Sequence, residues 1–179
     1  MEGGIMAWKG LKAEGFPEVA MNYFGSASST EELIIMAWHL EEGTRKFYTK
    51  LLPLFANQEI LRLFEDLAKA EQKHKSMLQG LYGEIAGKQF EIDYSFGQSE
   101  VDQLMEGGVK IQEALDWANA KAEKDIVEFA MALEANAYDR YLTMRRMFDN
   151  EDSKRVFNSL SEAEKQHLER LTEAFEAIA

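Results

Sequence analysis

The chain has 179 residues, 46% of them hydrophobic, which suits one main domain with a sizeable core. It contains no cysteine, which excludes disulfides, zinc–thiolate sites, rubredoxin-type iron and thiol nucleophiles. A formal charge of −12 disfavours nonspecific binding to nucleic acid or anionic lipid, and no run approaches a membrane span, so a cytoplasmic protein with no nucleic-acid and no membrane partner is expected.

Residues 1–28 read as a glycine-containing lead-in. Helical spacing begins at Ser29, which forms a capping-box pattern with Glu32, and runs through Leu33, Ala37, Leu40, Thr44 and Phe47 to about Leu52. Pro53 stops this helix. Asn57 is placed to cap a second helix that runs to about Leu81, with Gly80 and Gly83 marking its end. Residues 83–97 read as a long connection. Two short helices are predicted next, Ser99 to Met105 and Val109 to Trp117, separated by Gly107 and Gly108. Asp125 is expected to cap a third long helix ending near Phe148, and Asn150 or Asp152 a fourth that runs almost to the C-terminus. The predicted fold class is all-α: a four-helix bundle of two helical hairpins joined by a long crossover that contains short helices.

The halves of the chain repeat at an offset of 93 residues. Ala37, Glu41 and Tyr48 fall on Ala130, Glu134 and Tyr141, while Phe64, Leu67, Glu71, His74 and Leu78 fall on Phe157, Leu160, Glu164, His167 and Leu171. Residues three, four or seven apart share one helix face. Glu41, Glu71, Glu134 and Glu164 are therefore each expected on an apolar stripe that faces the core. Burying a carboxylate costs several kcal/mol unless something positive compensates it. No lysine or arginine recurs on both copies of these faces: Arg45 lies near Glu41, but its repeat mate is Tyr138.

Two divalent cations would resolve the excess of negative charge. Glu-x-x-His lets a carboxylate and an imidazole of one helix reach the same ion, and hard oxygen ligands with one nitrogen per metal suit iron or manganese. One glutamate from each of two helices, with Glu-x-x-His from each of the other two, is the ligand pattern of di-iron carboxylate bundles. The candidate ligands are Glu41, Glu71, His74, Glu134, Glu164 and His167, and the expected cofactor is two iron ions, with manganese or zinc as alternatives. A lone Glu-x-x-His is usually a solvated surface pair. Two copies at one offset, each with a glutamate thirty residues upstream, are far more specific. His39 lies two residues before Glu41, off the ligand stripe, and is expected to be no ligand. Tyr48 and Tyr141 are expected to donate their hydroxyls to ligand carboxylates. Met36, Trp38, Phe64, Met77, Phe129, Met131, Met144 and Met147 read as core.

The segments AWHLEEGTRKFY (37–48), AEQKH (70–74), AMALEANAYDRY (130–141) and AEKQH (163–167) resemble the ferritin-like superfamily, in its rubrerythrin-type branch. The resemblance covers residues 29–179. It implies that Glu71 and Glu164 bridge both metals, with Glu41 and His74 completing one ion and Glu134 and His167 the other. It also implies an oxidoreductase that acts on peroxide or dioxygen, and a homodimer, with which the apolar Ile5, Trp8 and Phe24 of the lead-in agree. Rubrerythrins carry a further glutamate one turn beyond the third-helix ligand, tied to iron movement in their peroxidase cycle; this chain has Ala137 there. It also has no cysteine-bearing rubredoxin module, so a separate electron donor is expected. The alternatives are a non-enzymatic iron-binding or iron-handling protein and a metal-free interaction module. Residues 3–17 (GGIMAWKGLKAEGFP) resemble the closing strand-and-helix region of a rhodanese domain, so the module would be rhodanese-associated.

Overall fold

The computed structural model describes residues 29–90 and 103–178. The lead-in, with its rhodanese-like stretch and Ile5, Trp8 and Phe24, lies outside them, as do Ser99–Asp102 of the first predicted short helix. Four long helices carry the fold: α1 (Thr30–Leu51), α2 (Gln58–Ala86), α4 (Glu123–Met147) and α5 (Glu151–Ala177). Between the hairpins lie two two-residue strands, β1 (Leu104–Met105) and β2 (Val109–Lys110), and the short helix α3 (Ile111–Ala118). The described residues form an all-α four-helix bundle, with α1 packed on α2, α4 on α5, and α2 meeting α5 across the bundle.

The caps follow local chemistry. Ser29 Oγ accepts from the Glu32 backbone N–H at 3.2 Å. Asn57 Oδ1 accepts from Glu59 at 2.8 Å, and Asn150 Oδ1 from Ser153 at 2.7 Å, which selects Asn150 over Asp152 as the cap. Asp125 does not cap α4. It sits one turn inside, where its carboxylate accepts from the Ala122 backbone N–H. Glu123 at the start of α4 reaches across to the backbone N–H groups of Ala56 and Asn57, at 2.6 and 3.0 Å, and so ties the start of one hairpin to the turn of the other.

Three predicted boundaries are corrected. The second helix continues through Gly80 and Gly83 to Ala86, and ends where Gly87 takes a left-handed φ of 63°. A glycine inside a helix costs only about 1 kcal/mol, which packing of Leu81 and Tyr82 offsets. Leu104 and Met105 are not helical either: they pair antiparallel with Lys110 and Val109. Gly107 and Gly108, at φ 71° and 70°, reverse the chain between these strands. The following helix begins at Ile111 rather than Val109.

The crossover is pressed between α1 and α4. A Cβ on Gly43 would lie 2.0 Å from the Leu104 carbonyl oxygen, and one on Gly107 would lie 3.1 Å from Asn136 Nδ2. The core itself divides in two. One apolar cluster holds Phe47, Tyr48, Phe64, Leu67, Phe129, Leu133 and Leu171; the other holds Ile34, Ala37, Leu78, Ala137, Tyr141, Phe157 and Leu160. In every long helix the Glu or Glu-x-x-His positions fall between the residues given to one cluster and those given to the other. The bundle therefore has a polar layer clamped between two dry ones. Of the methionines read as core, Met144 is buried but Met147 is exposed.

Candidate metal centre

All six predicted ligands meet in the polar layer: Glu41 from α1, Glu71 and His74 from α2, Glu134 from α4, and Glu164 and His167 from α5. None is more than 6% exposed. His74 Nδ1 lies 3.3 Å from Glu41 Oε2, 3.1 Å from Glu71 Oε2 and 3.0 Å from Glu164 Oε1. His167 Nδ1 lies 3.1 Å from both Glu134 Oε2 and Glu164 Oε2, and 4.0 Å from Glu71 Oε1. The two imidazoles stack at 5.4 Å between centroids.

This geometry fits cations better than a hydrogen-bond network. One ring N–H can serve one acceptor well, yet three carboxylate oxygens lie within 3.3 Å of His74 Nδ1 and two lie at 3.1 Å from His167 Nδ1. Glu71 Oε1 is buried with no hydrogen-bond donor, and Glu164 Oε1 has only the poorly aligned His74 Nδ1 beside it. Such orphans are costly in a dry interior. Two overlapping groups each place one ligand atom per residue within 4.8 Å of the others: Glu41, Glu71, His74 and Glu164, and then Glu71, Glu134, Glu164 and His167. Glu71 and Glu164 belong to both. The residues present therefore fit a metal site.

The protonation states show the strain of crowded charge. Burial, and then the charges of Glu41 and Glu164, hold Glu71 well above the carboxylate range. Burial drives Glu134 up to about 8 against the lowering effect of His167. Glu164 is held well below its ordinary value, because the His74 charge and the hydrogen bonds from His167 and His74 overcome its burial. His167 is raised to about 9: the Glu134 carboxylate outweighs the burial that would lower it. Without metal, protons and imidazolium charge do the work that cations would do.

The tyrosines cross the repeat. Tyr48 of the first half donates to Glu134 Oε1 of the second at 2.5 Å, and Tyr141 of the second donates to Glu41 Oε1 of the first. Each of these two carboxylates is thus aimed by the opposite hairpin, which the offset of 93 residues alone does not disclose. His39 stays off the site, with its ring edge-on to Trp38.

The sequence reading missed two residues. Arg45 pairs with Glu42, not Glu41. Besides His74, Arg140 reaches Glu41: its Nη2 donates to Glu41 Oε1 at 2.8 Å, and its side chain is 8% exposed. Its Nη1 donates to Glu106, a crossover carboxylate that is 3% exposed and whose backbone N–H donates to Thr44 Oγ1 at 3.2 Å. Burial, opposed by Arg140, leaves Glu106 raised to about 7. Arg140 carried one signal: its repeat mate is the core residue Phe47, so a charge stands where the other half is apolar. Glu106 carried none, because it lies in a segment without helical periodicity.

Comparison with known proteins bears on this site. A family model described as rubrerythrin matches residues 32–174, a stretch that contains every residue of the cluster. Among solved structures, a hypothetical protein from Pyrococcus furiosus is similar, with a TM-score of 0.66 and 26% identity over 90% of this chain and 95% of that one. No curated protein gives a significant match.

Proposed function

This chain belongs to the rubrerythrin family, and from that premise we propose that it is a non-haem di-iron carboxylate protein, an oxidoreductase acting on peroxide or dioxygen. The observation that carries the reading is the pair of overlapping Glu/His groups that share Glu71 and Glu164. Glu41 and His74 would complete one ion and Glu134 and His167 the other, with Glu71 and Glu164 serving both. Charge supports two divalent ions. Glu41, Glu71, Glu106, Glu134 and Glu164 carry five negative charges when ionised, Arg140 returns one positive, and two dications cancel the remainder.

Bound iron would supply two electrons and a Lewis-acidic seat for the oxygen species. The protein supplies the rest. Tyr48 and Tyr141 hold the outer carboxylates in place and keep their own protons, because burial raises both phenols well above their ordinary range. The apolar clusters above and below exclude bulk water. Reducing peroxide to two waters consumes two electrons and two protons, and the electrons come from a separate donor protein or domain.

A second reading, iron binding without turnover, is favoured by the buried Ala137, which stands where rubrerythrins carry a further glutamate. Anaerobic purification without chelator, metal analysis and an absorption spectrum test the site; peroxide consumption with a reductant then separates the two readings. A folded sample that takes up no iron, manganese or zinc would end both and leave the metal-free module. The reading also includes a homodimer, and sedimentation showing only monomer at micromolar concentration would contradict it.

A further inference from the structure

The two halves of the centre repeat in sequence but differ in charge. Glu134 Oε1 accepts from a neutral phenol, Tyr48. Glu41 Oε1 accepts from a phenol, Tyr141, and also from the Arg140 guanidinium. At the position equivalent to Arg140 the first half has Phe47, which is fully buried and apolar. Arg140 is itself fixed by Glu106, which the crossover inserts beside Thr44 of α1.

We propose that the Arg140–Glu106 pair makes the two metal positions unequal, with Arg140 lowering the cation affinity of the Glu41–His74 half relative to the Glu134–His167 half. This rests on the di-metal reading above. Two effects of Arg140 compete. As a donor it orients Glu41, which would strengthen metal binding. As a fixed positive charge it repels a cation bound to the same carboxylate. Orientation is already provided, since Tyr141 holds the same oxygen, so the charge decides. Glu106 tempers that charge without reaching Glu41 itself, and it stands outside both groups of potential ligands. Arg140 and Glu106 are thus positioning residues that set which half fills first.

Co2+ binding to the full, chelator-stripped chain, followed by visible absorption, tests this. The parent chain is expected to bind two Co2+ in separable steps. His167→Ala retains both ligands special to the Glu41–His74 half, and His74→Ala those of the other half. The first variant should bind Co2+ about tenfold more weakly than the second. Adding Arg140→Gln to His167→Ala should tighten binding by about tenfold, and adding it to His74→Ala should change binding by less than about threefold. Glu106→Gln in the His167→Ala background should act in the opposite direction, because it leaves the Arg140 charge uncancelled. That variant keeps the test decisive even where loss of Arg140 impairs folding. Equal affinities in the two backgrounds, an equal response of both to Arg140→Gln, or tighter binding on Glu106→Gln would overturn the inference alone. A folded parent that binds no Co2+ would overturn the di-metal reading and this inference with it.

Discussion

Gly43→Ala tests whether the crossover is truly wedged against α1. The added Cβ would meet Leu104 O at 2.0 Å, Leu104 C at 2.8 Å and Met105 Cα at 2.9 Å, where ordinary contact begins at 3.4 Å. These are backbone atoms, so no side chain can swing aside, and the crossover must retreat by about 1.4 Å, the difference between 2.0 and 3.4 Å. Overpacking of this kind costs ~1–3 kcal/mol. The retreat also stretches the bond from the Glu106 N–H to Thr44 Oγ1, now 3.2 Å, which adds about 1 kcal/mol. Against this, alanine is favoured over glycine inside a helix by ~1 kcal/mol. The net is a loss of about 2 kcal/mol, or a fall of ~4–8 °C in Tm for a chain of this size. Gly80→Ala is the control: it lies within α2 with nothing inside 4 Å of its Cβ, so it should stabilise the chain by up to ~1 kcal/mol. Thermal and urea unfolding of both variants in chelator give the comparison. A Gly43→Ala chain that melts at or above the parent, with Gly80→Ala behaving as expected, would show that propensity outweighs the contact and that the crossover is not pressed there.

Further outcomes follow from the site. His74→Ala and His167→Ala should each lower the metal-to-protein ratio of the loaded chain by about half, since each removes one of the two imidazole nitrogens, whereas His39→Ala should leave it unchanged; loss confined to His39→Ala would place the site elsewhere. Tyr48→Phe should destabilise the metal-free protein more than Tyr141→Phe, because Arg140 still donates to Glu41 Oε1 when the second phenol is gone, while Glu134 Oε1 loses its donor. Glu134, raised to about 8, is largely protonated at neutral pH, so the lost bond contributes ~0.5–1.5 kcal/mol; urea midpoints resolve the difference, and equal midpoints would refute it. The metal-free protein should lose stability as pH rises. Glu134, raised to about 8, and His167, raised to about 9, bind protons more tightly folded than unfolded; their contribution is complete below the ordinary values of 4.5 and 6.5 and disappears as pH climbs through about 8 and 9. A urea midpoint that rises from pH ~6 to ~9.5 would contradict this.

The cluster of candidate ligands was legible in the sequence because helices impose a fixed period. Once Glu41, Glu71, His74, Glu134, Glu164 and His167 fell on apolar stripes at one repeated offset, only a bundle could bury all four stripes together. Asn57 and Pro53 likewise marked a helix start and a helix stop through chemistry that acts within a few residues. What the sequence left open is what depends on distant partners. Gly80 and Gly83 read as a stop, but neighbours packed along α2 carried the helix to Gly87. Leu104 and Met105 read as helical, and only pairing with Lys110 and Val109 made them strands. The crossing of Tyr48 to Glu134 and Tyr141 to Glu41 depends on how the hairpins face each other, which no period along one helix encodes. Glu106 shows the limit most plainly. Its position comes from a crossover seated on Gly43, and its partner Arg140 lies 34 residues away, so their place beside Glu41 is decided by tertiary packing alone.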